Sequence, residues 1–121
     1  MKTQKKSLVS IIFILMIVLI QFITPSAAYA AGISVNTLID EDVANGTCSL
    51  REAIIAANTD AAYNGCTAGA AGTDNITFSV SGTITLVSTL PTITTNLNID
   101  GGGLITISGV GSFRLFLVNV N

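Results

Sequence analysis

The sequence predicts an all-β solenoid preceded by one short α-helix. From residue 75 onward, short bursts rich in Ile, Leu, Val and Thr are separated by Gly, Pro and Asn, as is typical of strands and tight turns. The bursts at Ile76 and Ile84 recur at Ile99 and Ile105, and a third burst at Ile93 recurs at Leu115. A period of about 22 residues that contains only short strands and turns favours coils stacked on one another.

The predicted strands are spread over most of the chain after residue 32. They cover residues 33–39, 76–80, 83–87, 92–94, 97–100, 105–107 and 113–117. Alternation of branched apolar residues with Thr and Ser places the apolar side chains inside the coils and the hydroxyls outside. A sandwich of β-hairpins is the alternative, but it favours two-residue turns such as Asn-Gly, whereas the breaks here are Ser-Gly, Leu-Pro and a run of three glycines.

The stretch CSLREAIIAAN, residues 48 to 58, predicts the helix. Ser49 and Glu52 have the spacing of a capping box, in which each residue satisfies a backbone N–H of the other. The apolar stripe that follows consists of Leu50, Ala53, Ile54 and Ala57. A helix of two to three turns is too short to be stable alone, so it is expected to lie against an apolar surface.

The first thirty residues have the pattern of a secretory signal peptide. Three lysines precede an apolar run over residues 8–23, and Ala28 and Ala30 are the small residues that a signal peptidase recognises. Cleavage is therefore predicted after Ala30, with the mature chain secreted or held at the cell surface. The apolar run of sixteen residues is shorter than the roughly 20 that span a bilayer, so a retained anchor is the alternative.

The chain then divides into three segments. Residues 1–30 are the signal peptide, residues 31–74 hold the first strand, the capping helix and a loop, and residues 75–121 form the first coils of the solenoid. The mature part keeps two arginines against seven acidic residues, a net charge of −5. This charge argues against nucleic acid and against anionic membranes as partners, so membrane contact is expected only through the signal peptide before cleavage.

Two cysteines, Cys48 and Cys66, both lie in the exported part, which predicts one disulfide across the helix. No metal site and no cofactor are predicted, because the chain has no histidine and two thiolates do not fill a zinc site. Asp100 precedes three glycines and is interpreted as a turn carboxylate rather than a calcium ligand. No catalytic residues are predicted, since a Ser-His-Asp arrangement needs a histidine and the cysteines are paired.

Arg51 is unusual because it lies in the first turn of the helix, where a positive charge opposes the helix dipole. We therefore expect it to form a structural ion pair, or to contact a carbonyl group. An arginine that binds a ligand is the alternative. The acidic stretch over residues 40–42 is predicted to be a solvated turn.

These motifs resemble the N-terminal part of the bacterial CSLREA-domain proteins. CSLREAIIAAN is followed in the family's order by DNITF, TITL, LPTIT, NLNIDGGG and LITISG, so the resemblance covers nearly all of residues 33–118. It implies a right-handed parallel β-helix of the pectate-lyase type, with the short helix as an N-terminal cap. Because family members continue with many more coils, the chain is interpreted as a fragment with an incomplete solenoid.

The resemblance also implies a function. The chain is expected to be an exported, adhesin-like segment of a surface protein that caps and starts a β-helix used for adhesion or binding, without catalysis of its own. Its expected partner is a polysaccharide or a host or cell-surface ligand. The alternative is the N-terminal part of a carbohydrate-active enzyme, a polysaccharide lyase or glycoside hydrolase, because one fold can carry unrelated functions.

Overall fold

The computed structural model describes residues 30–120, and the signal peptide predicted over residues 1–30 lies almost wholly outside them. The described part has five short strands and one helix. In chain order these are β1 (Gly32–Val35), α1 (Leu50–Thr59), β2 (Asp74–Phe78), β3 (Gly82–Thr85), β4 (Leu97–Ile99) and β5 (Ile105–Ser108).

The strands form two small parallel sheets. One sheet has the order β1-β2-β4, with Ile33 opposite Ile76 and Ile76 opposite Ile99. The other pairs β3 with β5 and places Ile84 opposite Ile107. Like residues therefore face each other across the ladders, as when Asn98 donates its side-chain amide to the side chain of the neighbouring asparagine on β2.

Strand β1 and strand β2 are connected through the helix. Parallel neighbours need a long crossover, which is usually helical. Here Ile33 pairs in register with Ile76, and α1 lies within the connection, so β1, α1 and β2 form a β-α-β unit. This unit joins the predicted segments 31–74 and 75–121 in one core.

The predicted fold class is wrong. The described residues form a small mixed α/β domain with two small parallel sheets and one helix, and they show neither a solenoid nor a β-helix. The sequence repeat corresponds to a single pair of neighbouring strands in each sheet and not to a stack of coils. These pairs are β2 with β4 and β3 with β5. The helix is also more than a lid on the end of a coil, since it supplies six buried residues.

The strand predictions differ from the structure in the third burst of each repeat. Residues 92–94 contribute only an isolated bridge, which joins Ile93 to Val118. Residues 113–117 form no strand, because the chain turns tightly just before them: the backbone N–H groups of Ser112 and Phe113 both donate to the carbonyl of Gly109. Turn bonds therefore occupy the start of this burst, and the parallel pairing is confined to the backbone bonds of Ile93 with Leu117 and Asn119.

The core is formed by buried side chains of α1 and of strands β1, β2 and β3, and it continues into residues 86–93. Strand β1 alternates, so that Ile33 and Val35 are buried while Gly32 and Ser34 are exposed. The apolar stripe of α1 packs on β1 and β2 through Leu50 and Ile54, which are fully buried. Burying each of these large side chains stabilises the fold by about 1.5–3 kcal/mol. Within residues 30–120, no helix is long and apolar enough to cross a membrane.

Candidate functional site

Five of the side chains that the sequence singles out lie together at the start of α1, beside Asp40 of the acidic stretch. We call this group the helix-start cluster and define it as Asp40, Cys48, Ser49, Arg51, Glu52 and Cys66. The structure brings all six together because the chain before the helix and the loop after it both fold against the first helical turn.

Ser49 and Glu52 form a reciprocal capping box. The Ser49 hydroxyl oxygen accepts a hydrogen bond from the backbone N–H of Glu52 at 3.2 Å, and the Glu52 carboxylate accepts one from the backbone N–H of Ser49 at 2.9 Å. The Ser49 hydroxyl donates its own proton to the backbone carbonyl of Glu41 at 2.6 Å. The cap therefore fixes the preceding acidic stretch as well as the helix.

Glu52 also forms hydrogen bonds to the loop before α1 and to the loop after it. Its second carboxylate oxygen accepts hydrogen bonds from the backbone N–H of Val43 at 2.9 Å and from the side-chain amide of Asn64 at 2.8 Å. Glu52 is fully buried. A buried carboxylate is tolerated only when its oxygens are bonded, and here both are. Glu52 is thus the point where the segments on either side of the helix meet its first turn.

Substituting Glu52→Gln should lower the free energy of unfolding by about 2 kcal/mol, because one of the two acceptor oxygens becomes an NH2 group, so that either the Ser49 N–H or the donors of Val43 and Asn64 lose their acceptor. The change keeps the side-chain volume, so any loss reports on hydrogen bonding. Urea unfolding followed by circular dichroism measures it. The control is Asp60→Asn at the other, exposed end of the helix. Equal stability of Glu52→Gln and the parent protein would contradict the role given to this carboxylate.

Arg51 forms the ion pair expected from the sequence, and its partner is Asp40. The guanidinium group donates through Nε and Nη2 to the two carboxylate oxygens of Asp40, at 2.9 and 2.8 Å. It also donates to the backbone carbonyls of Ser88 and Thr89, at 3.0 and 2.9 Å. The Asp40 carboxylate, which has no exposed surface, accepts a further bond from the N–H of Val87. This network ties the helix start to the turn after β3.

The disulfide joins Cys48 to Cys66, as the sequence predicts. Both cysteines are buried, and the bridge closes a loop with a sequence separation of 18 residues. The backbone N–H of Cys48 donates to the side chain of Asn36, and Asn36 in turn donates its own N–H to the carbonyl of Cys48. The bridge therefore holds the residue before α1, the loop after it and the end of β1 in one place.

The acidic stretch, predicted as a solvated turn, is buried at Asp40 and exposed at Asp42, and each of its carboxylates has a hydrogen-bond partner. Asp42 accepts hydrogen bonds from the Tyr63 hydroxyl and from the Asn64 amide. Glu41 accepts one from the Thr47 hydroxyl at 2.7 Å, and Asp40 is buried against the guanidinium group described above. The prediction of a solvated turn is therefore wrong for Asp40, which is a buried partner of the helix, whereas Asp42 is exposed to solvent.

Two of these contacts shift pKa values. Hydrogen bonds from Thr47 and then from Asn45 lower the pKa of Glu41 below 4.5. Since the folded-state pKa is lowered, the stabilisation is present above the ordinary pKa of glutamate and is lost as the pH falls through the lowered value. The hydrogen bond to Asp42 raises the pKa of Tyr63 above 10.0, with smaller contributions from burial and from the charges of Asp42 and Glu52. Both contacts favour the charge states present at neutral pH.

Asp100 is a turn carboxylate. It is exposed, and its oxygen accepts a hydrogen bond from the backbone N–H of Gly102 at 2.8 Å, which stabilises the glycine turn after β4. Among residues 30–120, no three side chains of His, Cys, Asp and Glu are grouped so that they could hold a metal ion.

A second feature is the exposed apolar surface of the chain after β4. We call it the open apolar face and define it as the exposed large apolar residues between 104 and 120 together with the groove beside them. The exposed residues are Leu104, Val110, Leu115, Phe116, Leu117, Val118 and Val120. The groove has a volume of about 220 Å³ and is lined by Phe78, Ile99, Gly101, Ile105, Ile107 and Phe116.

Comparison of the chain with protein-family models, with curated proteins and with solved structures finds no match. The resemblance to the CSLREA-domain proteins therefore depends on the quoted motifs alone and stays a prediction.

Several polar side chains important to the structure are not singled out by the sequence patterns. Asp40 is the partner of Arg51, and Asp74 is fully buried at the start of β2. The side chain of Asn58 forms hydrogen bonds with the backbone of Thr92 and Thr94, in the segment before β4. Their residue type is the feature that could have indicated them, because Asp and Asn stand out in a chain with few charged residues. Pairing could not be read from spacing, since these partners lie far apart along the chain.

Proposed function

We propose that this chain is an exported, non-catalytic domain of a bacterial surface protein that binds a protein ligand through its open apolar face. The observation that carries the proposal is the concentration of exposed apolar side chains on that face. Of the ten large apolar residues that are exposed within residues 30–120, seven lie between 104 and 120. A concentration of exposed apolar residues beside a groove is typical of interaction sites.

The strands beside the open face favour a protein as the ligand. Strands β4 and β5 are the last strands of their sheets in the described part, so their outer edges carry backbone groups without a ladder partner there. Such edges can accept an extended segment of another protein as an added strand. Only one charged residue, Arg114, lies between 101 and 120, and this fits an apolar partner better than a polysaccharide.

The helix-start cluster supports a structural role without catalysis. The ionic and hydroxyl groups of the helix-start cluster are engaged with one another and with backbone groups, as expected of a cover that seals the core. Export is supported by the signal-peptide pattern and by the disulfide, because disulfides persist in oxidising compartments.

A matched pair of variants tests the binding face. Leu104 lies on the face and Val87 lies elsewhere, and the two side chains are 68% and 67% exposed. Binding is measured by biolayer interferometry, with immobilised fibronectin and collagen as protein probes and pectin as a polysaccharide probe. Leu104→Glu should weaken protein binding by about tenfold or more, where tenfold in affinity corresponds to about 1.4 kcal/mol. Val87→Glu should bind like the parent protein.

Equal binding by the two variants would contradict the assignment of this face. Preferential binding to pectin would replace the protein ligand with a polysaccharide. Release of reducing or unsaturated sugar from pectin by the purified chain would overturn the non-catalytic proposal and favour the carbohydrate-active alternative.

A further inference from the structure

Asp74 is a buried acidic residue with no cation beside it among residues 30–120, and unlike Glu52 it keeps one carboxylate oxygen without a hydrogen-bond partner. It is fully buried at the first position of β2. One carboxylate oxygen, Oδ1, accepts hydrogen bonds from the backbone nitrogens of Ala31 and Ala70, both at 3.1 Å. The other oxygen, Oδ2, has no hydrogen-bond partner within the described residues.

The surroundings of Asp74 make this lack of a cation costly. Gly69 lies against two oxygen atoms, the carbonyl oxygen of Ala56 near the carboxyl end of α1 and the Oδ2 atom of Asp74. A Cβ added at Gly69 would lie 2.8 Å from the first and 2.7 Å from the second. The carboxyl end of a helix carries partial negative charge and opposes a carboxylate nearby. Arg51 is engaged with Asp40, and Arg114 is exposed. A buried carboxylate without an opposite charge is strongly unfavourable.

One of the two backbone nitrogens that donate to Asp74, that of Ala31, is the one that signal-peptide cleavage would set free. Cleavage is expected after Ala30, which is exposed, and the next residue is the half-buried Ala31. A signal peptidase hydrolyses the Ala30–Ala31 peptide bond with one water molecule. The reaction leaves a carboxylate on Ala30 and converts the Ala31 N–H to an ammonium group, which has three protons in all and one positive charge. The Ala31 carbonyl stays fixed, because it accepts the N–H of Asn75 at 2.8 Å.

We propose that the Ala31 α-ammonium group created by signal-peptide removal binds the buried Asp74 carboxylate, so that processing completes the core. The inference rests on the export that forms part of the proposed function. The amino terminus of the mature chain is then a structural element: it supplies the cation that Asp74 lacks, at the point where β1 begins beside β2. A precursor that keeps residues before Ala31 has only a neutral peptide N–H there.

The processed chain, residues 31–121, holds every residue of the buried core and can be released from a removable fusion with Ala31 as its first residue. It is compared with the same chain preceded by Gly-Ser-Ala. Loss of one partner of a buried ion pair is strongly destabilising, and we expect the melting temperature of the extended chain to be lower by about 10 °C. In the Asp74→Asn background the two chains should melt together, whereas in the Asp100→Asn control the difference should persist.

Chemical modification of the amino group gives a readout that does not depend on a variant folding. All three lysines lie before residue 31, so the α-amino group is the only primary amine of the processed chain. An acylating reagent at neutral pH should therefore modify the folded chain at least about tenfold more slowly than the urea-unfolded chain, because the ammonium form is held in an ion pair. Intact-mass spectrometry follows the reaction.

Equal melting temperatures of the free and extended chains, or equal acylation rates in the folded and unfolded states, would overturn the Asp74 contact. A temperature difference that persists in Asp74→Asn would do the same. Amino-terminal sequencing of the secreted chain tests export separately: a first residue other than Ala31 would overturn the processing step, and ligand binding by the open apolar face is measured independently of both.

Discussion

Replacing Arg51 with methionine should lower the free energy of unfolding by about 3–5 kcal/mol. The variant keeps most of the apolar stem but leaves the fully buried Asp40 carboxylate without its cation. It also removes the donors to the carbonyls of Ser88 and Thr89. Because small domains are stable by only about 5–15 kcal/mol, this loss is a large part of the total. Urea unfolding of the processed protein measures it.

Three further variants separate the ion pair from general packing. Arg114→Met removes an exposed arginine and should change stability by less than about 0.5 kcal/mol. Arg51→Lys keeps the charge but loses the planar fork, so its stability should lie between Arg51→Met and the parent protein. Asp40→Asn should recover part of the Arg51→Met loss in the double variant. Stability of Arg51→Met within about 1 kcal/mol of the parent would show that the pair contributes little.

Removing the disulfide should cost about 3 kcal/mol, because the bridge restricts the unfolded chain over a sequence separation of 18 residues. The double variant Cys48→Ala/Cys66→Ala tests this. We expect the loss to appear mainly as easier unfolding of the helix and of the loop after it, since the bridge is their covalent connection. Urea unfolding with and without a reductant measures the change.

The reductant provides the internal control for the bridge. It should destabilise the parent protein by nearly the same amount as the double variant, and it should leave the double variant unchanged. A parent protein whose unfolding is insensitive to the reductant, although its thiols are then free by mass, would show that the bridge adds no stability.

Local features were predictable because their causes lie within a few residues. The capping box needs Ser49 and Glu52 three positions apart, and that spacing alone predicts the helix start. The apolar stripe of α1 likewise follows from helical periodicity, and two cysteines in an exported chain indicate a bridge. The strands β2, β3, β4 and β5 lie within two residues of the bursts that predict them.

The arrangement of these elements was not predictable from the pattern. A repeat of this length is compatible with many stacked coils, but it also arises from one pairing step in each of two small sheets. The pattern also could not show that the helix lies within the crossover between β1 and β2, which makes the domain mixed α/β rather than all-β. Strand partners are chosen by the whole core, not by local spacing.

The sequence by itself determined the helix and its cap, the two bridged cysteines and the β-rich character of the chain after residue 75. Only the tertiary structure decided that Arg51 pairs with Asp40, that this pairing buries the first residue of the acidic stretch, and that Asp74 is buried beside the nitrogen of Ala31. The reason is physical: capping and periodicity act between close neighbours, whereas burial of a charge depends on residues brought together from distant parts of the chain.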